Sequence, residues 1–196
     1  MDKFMKLCGV IMVSCVLLTL MSARKRAADL EESKEAVLAR TVLFDMNSTN
    51  GWKISKDKGT DALLNTMQFR DGRALRLTYN MKSGTWLDVN IKVPIDLSSY
   101  SGIRFKCRAE GAQNTVEVRL EDNHAAVYGT KIGVNTGTNE WTEVDVPFES
   151  LDYLWGGDEQ LNLKKIMLHI AVSRQGDEDE GGSGILSICR IELNKR

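Results

Sequence analysis

The sequence predicts an all-β fold in which two antiparallel sheets pack face to face. From Thr41 onward, short runs alternate apolar with polar residues, and residues typical of turns separate these runs. Strict alternation means that each strand buries one face and exposes the other. Eight or more such runs, with no clear helical pattern among them, favour a β-sandwich over a helical or mixed fold.

The strands can be placed in order along the chain. An opening strand at residues 41–46 leads into a turn at 47–51, and Asp71-Gly72 marks a hairpin between the two runs that flank it. Further strands are predicted at residues 85–93, 102–109, 115–122, 126–134, 140–146, 164–173 and 185–193. The run at 85–93 alternates most cleanly, with Leu87 and Val89 on one side and Trp86 and Asp88 on the other.

An uncharged segment near the N-terminus predicts export. Residues 7–23 are apolar and lie between Lys6 and a basic run at 24–26, which indicates a signal peptide or membrane anchor at residues 1–23. Its fate stays open between cleavage, retention as an anchor and lipid attachment at Cys15. We therefore expect an exported protein, either secreted or anchored in a cell-envelope membrane through the uncleaved segment.

The rest of the chain divides into a spacer and one domain. Residues 24–40 are basic at the start and rich in helix formers, which predicts a short helical spacer, and residues 41–196 form the predicted β-sandwich. The chain carries 26 basic and 27 acidic residues and a net charge of −1. This balance argues against a nucleic-acid partner, which favours a basic surface.

The cysteines suggest two alternatives for the domain. No C-x-x-C pair is present, which argues against a zinc site. Cys107 and Cys189 both lie in the domain, and an exported protein permits a disulfide between them. Two separate, buried, reduced thiols are the other reading, and the sequence does not decide between them.

Several phrases of the sequence resemble a known superfamily. They are "PIDLSSYSGIRFKCRAEG", "VEVRLED", "EWTEVDVPFESL" and "LNLKKIMLHIAV" at residues 94–111, 116–122, 140–151 and 161–172. Together they resemble the galactose-binding-like jelly-roll superfamily, most closely the carbohydrate-binding modules of the family 11 type and the complex I intermediate-associated protein type. The resemblance covers about residues 41–193. It implies a jelly-roll sandwich and a non-catalytic domain that binds a polysaccharide or cell-envelope glycan.

The resemblance also raises a structural calcium ion. The resembling modules often use an early acidic residue and a late aspartate as ligands; Asp45 occupies the first position, but Cys189 stands at the second. A thiol is a poor ligand for a hard cation that prefers oxygen. A calcium site is therefore doubtful, and Asp45 is expected either as a residual metal ligand or as a solvated residue at a strand edge.

The resemblance places the sugar groove on the solvent face of one curved sheet. Alternation supplies its candidates: Trp86, Asp88, Asn90, Arg104, Lys106, Glu117, Arg119, Glu121, Met167 and His169. Aromatic rings offer flat apolar surfaces, and charged or amide groups can bond hydroxyls; Trp86 and Tyr79 are the expected platforms. The same residues also fit an ordinary solvated sheet with cross-strand ion pairs.

Other aromatic and titratable residues receive more limited expectations. Trp141 is expected to pack at the core or rim of the sandwich. Tyr153 and Trp155 fall in a long loop, where they either rim a groove or cover the core edge. His169 shows no partner for a metal or general-base role from its spacing.

The sequence does not predict an enzyme. It contains no G-x-S-x-G, H-E-x-x-H, P-loop or G-x-G-x-x-G motif. Glu117 and Glu121 would lie about 13 Å apart along one strand, farther than the carboxylate pairs of glycosidases. The alternative to glycan binding is a protein-interaction or assembly domain that uses the same sheet face.

Overall fold

The computed structural model describes residues 41–69, 72–134, 140–175 and 182–196. The predictions for residues 1–23 and 24–40 lie outside the described residues. Within the described ranges the chain forms strands and one short 3-10 turn, Phe148–Ser150. The strands are β1 (Thr41–Phe44), β2 (Lys53–Lys56), β3 (Asp61–Phe69), β4 (Gly72–Asn80), β5 (Trp86–Lys92), β6 (Tyr100–Gly111), β7 (Asn114–Asp122), β8 (Val127–Ile132), β9 (Thr142–Pro147), β10 (Asp152–Trp155), β11 (Ile166–Arg174), β12 (Ser183–Ile188) and β13 (Ile191–Lys195).

These strands build two antiparallel sheets. Sheet 1 has the order β1-β13-β6-β12-β4-β3, and β9 also pairs with β6. The long strand β6 pairs with β13 near its start and with β12 near its end. Sheet 2 has the order β10-β8-β7-β11-β5-β2. The prediction of two antiparallel sheets is confirmed for the described residues.

The core lies between the two sheets and follows the predicted alternation. Leu87 and Val89 of β5 are fully buried, as are Val118 of β7 and Val172 of β11. Side chains of this size each contribute about 1.5–3 kcal/mol when they are removed from water. Odd-numbered residues of β5 and even-numbered residues of β7 and β11 therefore point into the core. The remaining residues of these strands lie on the outer face of sheet 2.

Two sequence predictions about faces are wrong. Arg104 and Lys106 lie on β6, which belongs to sheet 1, so they do not share a face with Trp86. Arg104 instead pairs with Asp145 of β9 at 2.7 Å. Tyr79 is not a platform, because it is buried in the core and its hydroxyl accepts a hydrogen bond from Asn114 Nδ2.

Trp141 packs at the rim of sheet 1, which fits the expected packing role. Its ring centre lies 4.2 Å from that of Phe69, and the Arg108 guanidinium lies 5.3 Å from the Trp141 ring.

The two domain cysteines lie on neighbouring chain segments, because Ile188, which precedes Cys189, pairs with Cys107. Both are free thiols in the structure.

No helix within the described ranges has the length and apolar character needed to span a membrane.

Candidate ligand-binding site

Three adjacent strands of sheet 2 bring most of the predicted site residues together. In the register of the sheet, His169 of β11 lies opposite Asn90 of β5 on one side and Arg119 of β7 on the other. Ala171 lies opposite both Asp88 and Glu117 in the same way. This register places Asp88, Asn90, Glu117, Arg119 and His169 on one face of sheet 2.

His169 has two carboxylate partners that its sequence neighbours do not reveal. Its Nδ1 lies 2.7 Å from Asp88 Oδ2, and its Nε2 lies 3.1 Å from Glu121 Oε2. A neutral imidazole has one N–H donor, so only the doubly protonated ring can donate to both carboxylates. Because both ring nitrogens face carboxylates, the ring of His169 is held in one orientation between β5 and β7.

Asp88 is held from two sides. Although it lies on the outward face, only 7% of it is exposed. Its Oδ1 accepts a hydrogen bond from Asn90 Nδ2 at 2.8 Å, and the same amide donates to Ser55 Oγ of β2 at 3.1 Å. The predicted residues Asp88 and Asn90 therefore form one bonded network with His169, rather than independent solvated side chains.

Arg119 connects the polar floor to an aromatic ring. Its Nε donates to Glu117 Oε2 at 2.8 Å, and its Nη2 donates to the same oxygen. The guanidinium carbon lies 5.1 Å from the centre of the Trp155 ring, which is within cation–π range. Gly129 of β8 makes room for this arrangement, because a Cβ there would lie 2.9 Å from the Arg119 side chain and from Leu154.

Trp155 reaches this position through an irregularity in β10. The register with β8 shifts between Tyr153 and Trp155, and such a bulge redirects the side chains that follow it. Tyr153 fixes the strand through its hydroxyl, which donates to the Gly156 carbonyl at 2.6 Å, and through an edge-on contact with Tyr128. Of the two alternatives for Trp155, the structure favours the rim of a groove.

The turn beside Trp155 is closely packed. Gly156 has a φ of +91°, and a Cβ there would lie 1.8 Å from the Ala125 carbonyl oxygen. Any residue with a side chain would therefore push β10 away from the turn at 122–126. Half of Trp155 stays exposed in this arrangement, so the ring offers a free surface at a fixed position.

Asp122 organises the opposing turn. Its carboxylate accepts hydrogen bonds from the backbone N–H groups of His124, Ala126 and Asn162 at 2.8 to 3.1 Å. Burial alone would raise the pKa of Asp122, but these backbone hydrogen bonds outweigh it and lower the pKa. The turn is thus held by hydrogen bonds to an ionised carboxylate.

These elements enclose a cleft of about 320 Å³ on the outer face of sheet 2. Its lining residues are Asp88, Arg119, Glu121, Ala125, Val127, Trp155, Gly156 and His169. The floor is polar and charged, and the wall is apolar and aromatic. We call this feature the Trp155 cleft.

Trp86 lies on the same face but at the opposite corner. It is level with Thr115 of β7, whereas Trp155 is level with Glu121 of β7. The two rings are thus separated by four strand spacings, roughly 19 Å, and by about 20 Å along the strands. Trp86 is exposed, but it does not line the Trp155 cleft.

The described residues contain no cluster of three or more His, Cys, Asp or Glu side chains that could hold a metal ion. The carboxylate of Asp45 instead accepts hydrogen bonds from Asn47, one from the backbone N–H and one from Nδ2. It therefore closes a local turn at the end of β1. Nothing in this geometry completes the calcium site that the resemblance implied.

Two parts of the cleft escaped sequence reasoning. The sequence places Trp155 in a long loop, at a groove rim or at the core edge, because β10 is short and bulged and its alternation with Tyr153 is broken. The partners of His169 come from β5 and β7, which are distant in sequence. Alternation places Asp88, Glu121 and His169 on the polar faces of their strands. This shared outward position is the one feature of the sequence that indicates they could meet.

No protein-family model matches this chain, and no curated protein sequence matches it either. The fold is nevertheless similar to solved domains from Clostridium thermocellum. A family 11 carbohydrate-binding module, in complex with a β-1,3-1,4-mixed-linked tetrasaccharide, has a TM-score of 0.65 at 17% identity, covering 80% of this chain and 95% of that one. The family 11 module of cellulase Lic26A-Cel5E has a TM-score of 0.63 at 16% identity, covering 80% and 95%.

A family 30 carbohydrate-binding module, of cellulase CEL9D-CEL44B from the same organism, has a TM-score of 0.57 at 13% identity and covers 80% of this chain and 98% of that one. These similarities confirm the jelly-roll fold that the sequence phrases implied. At such low identities they establish the fold alone. The resemblance to the complex I intermediate-associated protein type stays a prediction.

Proposed function

We propose that this domain binds a polysaccharide or cell-envelope glycan, without catalysis, in the Trp155 cleft. The observation that carries the proposal is a half-exposed tryptophan held over a polar floor. A sugar ring has apolar C–H faces that stack on an aromatic surface, and its edge hydroxyls need donors and acceptors. The cleft supplies both kinds of contact within one concave surface.

The rigidity of the cleft supports a binding role. Trp155 is backed by Arg119, the bulged strand is held by Tyr153, and Gly156 packs against the opposing turn. A preformed surface loses little conformational entropy when a ligand binds, so a shallow site can still give useful affinity.

The similarity of fold is consistent with the same role. One structurally similar protein is named as a carbohydrate-binding module in complex with a mixed-linked tetrasaccharide. That description concerns the other protein, and its fold hosts many functions. For this chain the argument therefore depends on the cleft itself, and the named modules indicate which ligand class to test first.

The fixed polar groups of the cleft also support a binding role. The carboxylates of Asp88 and Glu121 are both bonded to the ring of His169. His169 therefore holds both carboxylates at fixed positions beside Trp155, where they can serve as polar contacts for a ligand.

We also propose, from the sequence, that residues 1–23 export the protein or tether it to a membrane.

The test is a glycan array of plant, microbial and host glycans probed with the full 196-residue chain, followed by calorimetry on each hit. We expect binding in the millimolar to micromolar range, which corresponds to roughly −4 to −8 kcal/mol. An absence of binding across all three glycan classes would contradict the proposal. The protein-interaction alternative would then be tested by recovering stoichiometric partners with the same chain.

A further inference from the structure

The charged and amide donors on the floor of the Trp155 cleft are already engaged by the protein. Arg119 donates through both Nε and Nη2 to Glu117. Asn90 donates to Asp88 and Ser55, and both nitrogens of His169 face carboxylates. Arg119 keeps N–H groups that do not bond Glu117, but its charge, and that of a protonated His169, is already paired with protein carboxylates. A carboxylate or sulfate on a ligand would therefore compete with those carboxylates.

Glu121, in contrast, has capacity to accept. Its side chain is 38% exposed and lines the cleft. Within the described part of the chain, only its Oε2 is hydrogen bonded, and the partner is His169. An ionised carboxylate can accept several hydrogen bonds through its two oxygens. The open acceptor of this cleft is therefore a negatively charged one.

In the two bonded groups on this face, Glu117–Arg119 and Asp88–His169–Glu121, carboxylates outnumber cations in either protonation state of His169. Arg119 and Glu117 form an ion pair and cancel each other. Asp88 and Glu121 then face one imidazole between them, so one negative charge remains if the ring is protonated and two remain if it is neutral. A cation placed beside Glu121 is therefore favoured over an anion at the same position.

We propose that the Trp155 cleft prefers glycans whose sugars carry a free, protonated amino group, and that Glu121 accepts this ammonium. The proposal depends on the glycan-binding function proposed above and specifies its ligand class. The sugar ring stacks on Trp155 while the ammonium pairs with Glu121. N-acetylation removes the positive charge, and uronic acids introduce a negative one, so both changes weaken binding.

The expected preference for the amino sugar is modest, because the ion pair between Glu121 and the ammonium would be partly exposed to solvent. Partly exposed ion pairs are modest in strength and are screened by salt. We therefore expect the amino form to bind about three- to tenfold more tightly than the N-acetylated form at low ionic strength. The advantage shrinks as salt is added.

The test is calorimetry of the full chain with four oligosaccharides of equal length. They are the hexamers of β-1,4-linked glucosamine, N-acetylglucosamine and glucose, and a galacturonate hexamer, measured at a pH where the glucosamine amines are protonated. The expected order of affinity is glucosamine, then glucose and N-acetylglucosamine, then galacturonate. Glu121→Gln is expected to reduce the ratio between the glucosamine and N-acetylglucosamine affinities to about one.

Two controls separate the site from general charge attraction. Asp61→Asn removes a carboxylate from sheet 1, where Asp61 pairs with Lys82, and must leave the affinity ratio unchanged. Hexalysine carries comparable charge without sugar rings and must not compete. If hexalysine competes as well as the glucosamine hexamer, the attraction is non-specific and the inference is overturned.

The outcomes distinguish this inference from the proposed function. Binding of the glucose hexamer with no preference for glucosamine would overturn the amino-sugar inference and leave glycan binding intact. Equal or tighter binding of galacturonate would overturn it as well. Failure of every hexamer, together with an empty glycan array, would overturn both.

Discussion

The guanidinium of Arg119 lies 5.1 Å from the centre of the Trp155 ring and joins the polar floor of the cleft to its aromatic wall. Arg119 is at the same time bonded to Glu117. The bond to Glu117 fixes the position of the guanidinium, and the guanidinium in turn supports the Trp155 ring. A planar, delocalised cation stacks on an aromatic face better than an ammonium does.

Replacing Arg119 with lysine is expected to weaken glycan binding while the charge is kept. A cation–π contact at an exposed site contributes about 0.5–1 kcal/mol, so Arg119→Lys should reduce affinity about two- to fivefold. Calorimetry on an array hit measures the effect. The matched control is Arg108→Lys, which alters the corresponding contact with Trp141 on sheet 1. Equal losses in both variants would contradict a specific role for Arg119.

His169 is expected to stabilise the fold as well as the cleft. His169→Ala leaves the buried carboxylate of Asp88 without its ring partner, and such a loss costs about 1–3 kcal/mol. Urea unfolding measures this change. His124→Ala, which removes an exposed histidine near Asp158, is the control and should change stability by no more than about 0.5 kcal/mol. A similar small effect for His169→Ala would show that the carboxylate is solvated instead.

Asp122 predicts a specific pH dependence of stability. Its folded-state pKa is lowered from the ordinary value of 3.8, because backbone hydrogen bonds to its carboxylate outweigh burial. The stabilisation is therefore complete above the unfolded pKa and is lost as the pH falls through the lowered folded pKa. Asp122→Asn should remove this part of the acid dependence and lower the stability at neutral pH.

Denaturant unfolding of both proteins between neutral pH and about pH 2 checks this prediction. Asp152→Asn, at an exposed position of β10, is the control and should follow the wild-type curve. If Asp122→Asn keeps the same acid dependence as the wild type, the carboxylate does not hold the turn.

The domain thiols are expected to react slowly in the folded protein. Burial raises the pKa of Cys107 to about 12 and that of Cys189 to about 11, although Lys106, Arg108 and Arg190 partly offset the second shift. Since the thiolate is the reactive form, alkylation near pH 8 should be slow until urea is added. Peptide mapping by mass spectrometry distinguishes these two cysteines from Cys8 and Cys15. A Cys107–Cys189 disulfide in that map would contradict the free thiols.

Alternation predicted the faces of the strands well but could not assign strands to sheets. The period of two is local, and the register places Asp88, Arg119 and His169 on the outer face of sheet 2 that this period indicates. Arg104 shows the same local pattern, yet it lies on the other sheet because β6 pairs with β12 and β13 near the end of the chain. The residues of a single strand do not predict which distant strands it pairs with.

Two aromatic residues differ in how well alternation places them. Tyr79 follows the parity of Leu75 and Leu77, which are buried in the core, so a strict reading of alternation would have placed it inward. Trp155 follows a bulge, where alternation does not apply. The cleft therefore combines predictable faces with an aromatic wall whose position the sequence leaves open between a groove rim and the core edge.

The most direct test of the central claim is the glycan array repeated with Trp155→Ala and Trp141→Ala in the full chain. Trp155 rims the cleft, whereas Trp141 packs against Phe69 on sheet 1. The account predicts that the wild type and Trp141→Ala bind the same glycans, and that Trp155→Ala loses about tenfold or more in affinity, as expected for a central aromatic anchor. An unchanged binding pattern in Trp155→Ala, with its thermal unfolding intact, would contradict the claim that this cleft binds the glycan.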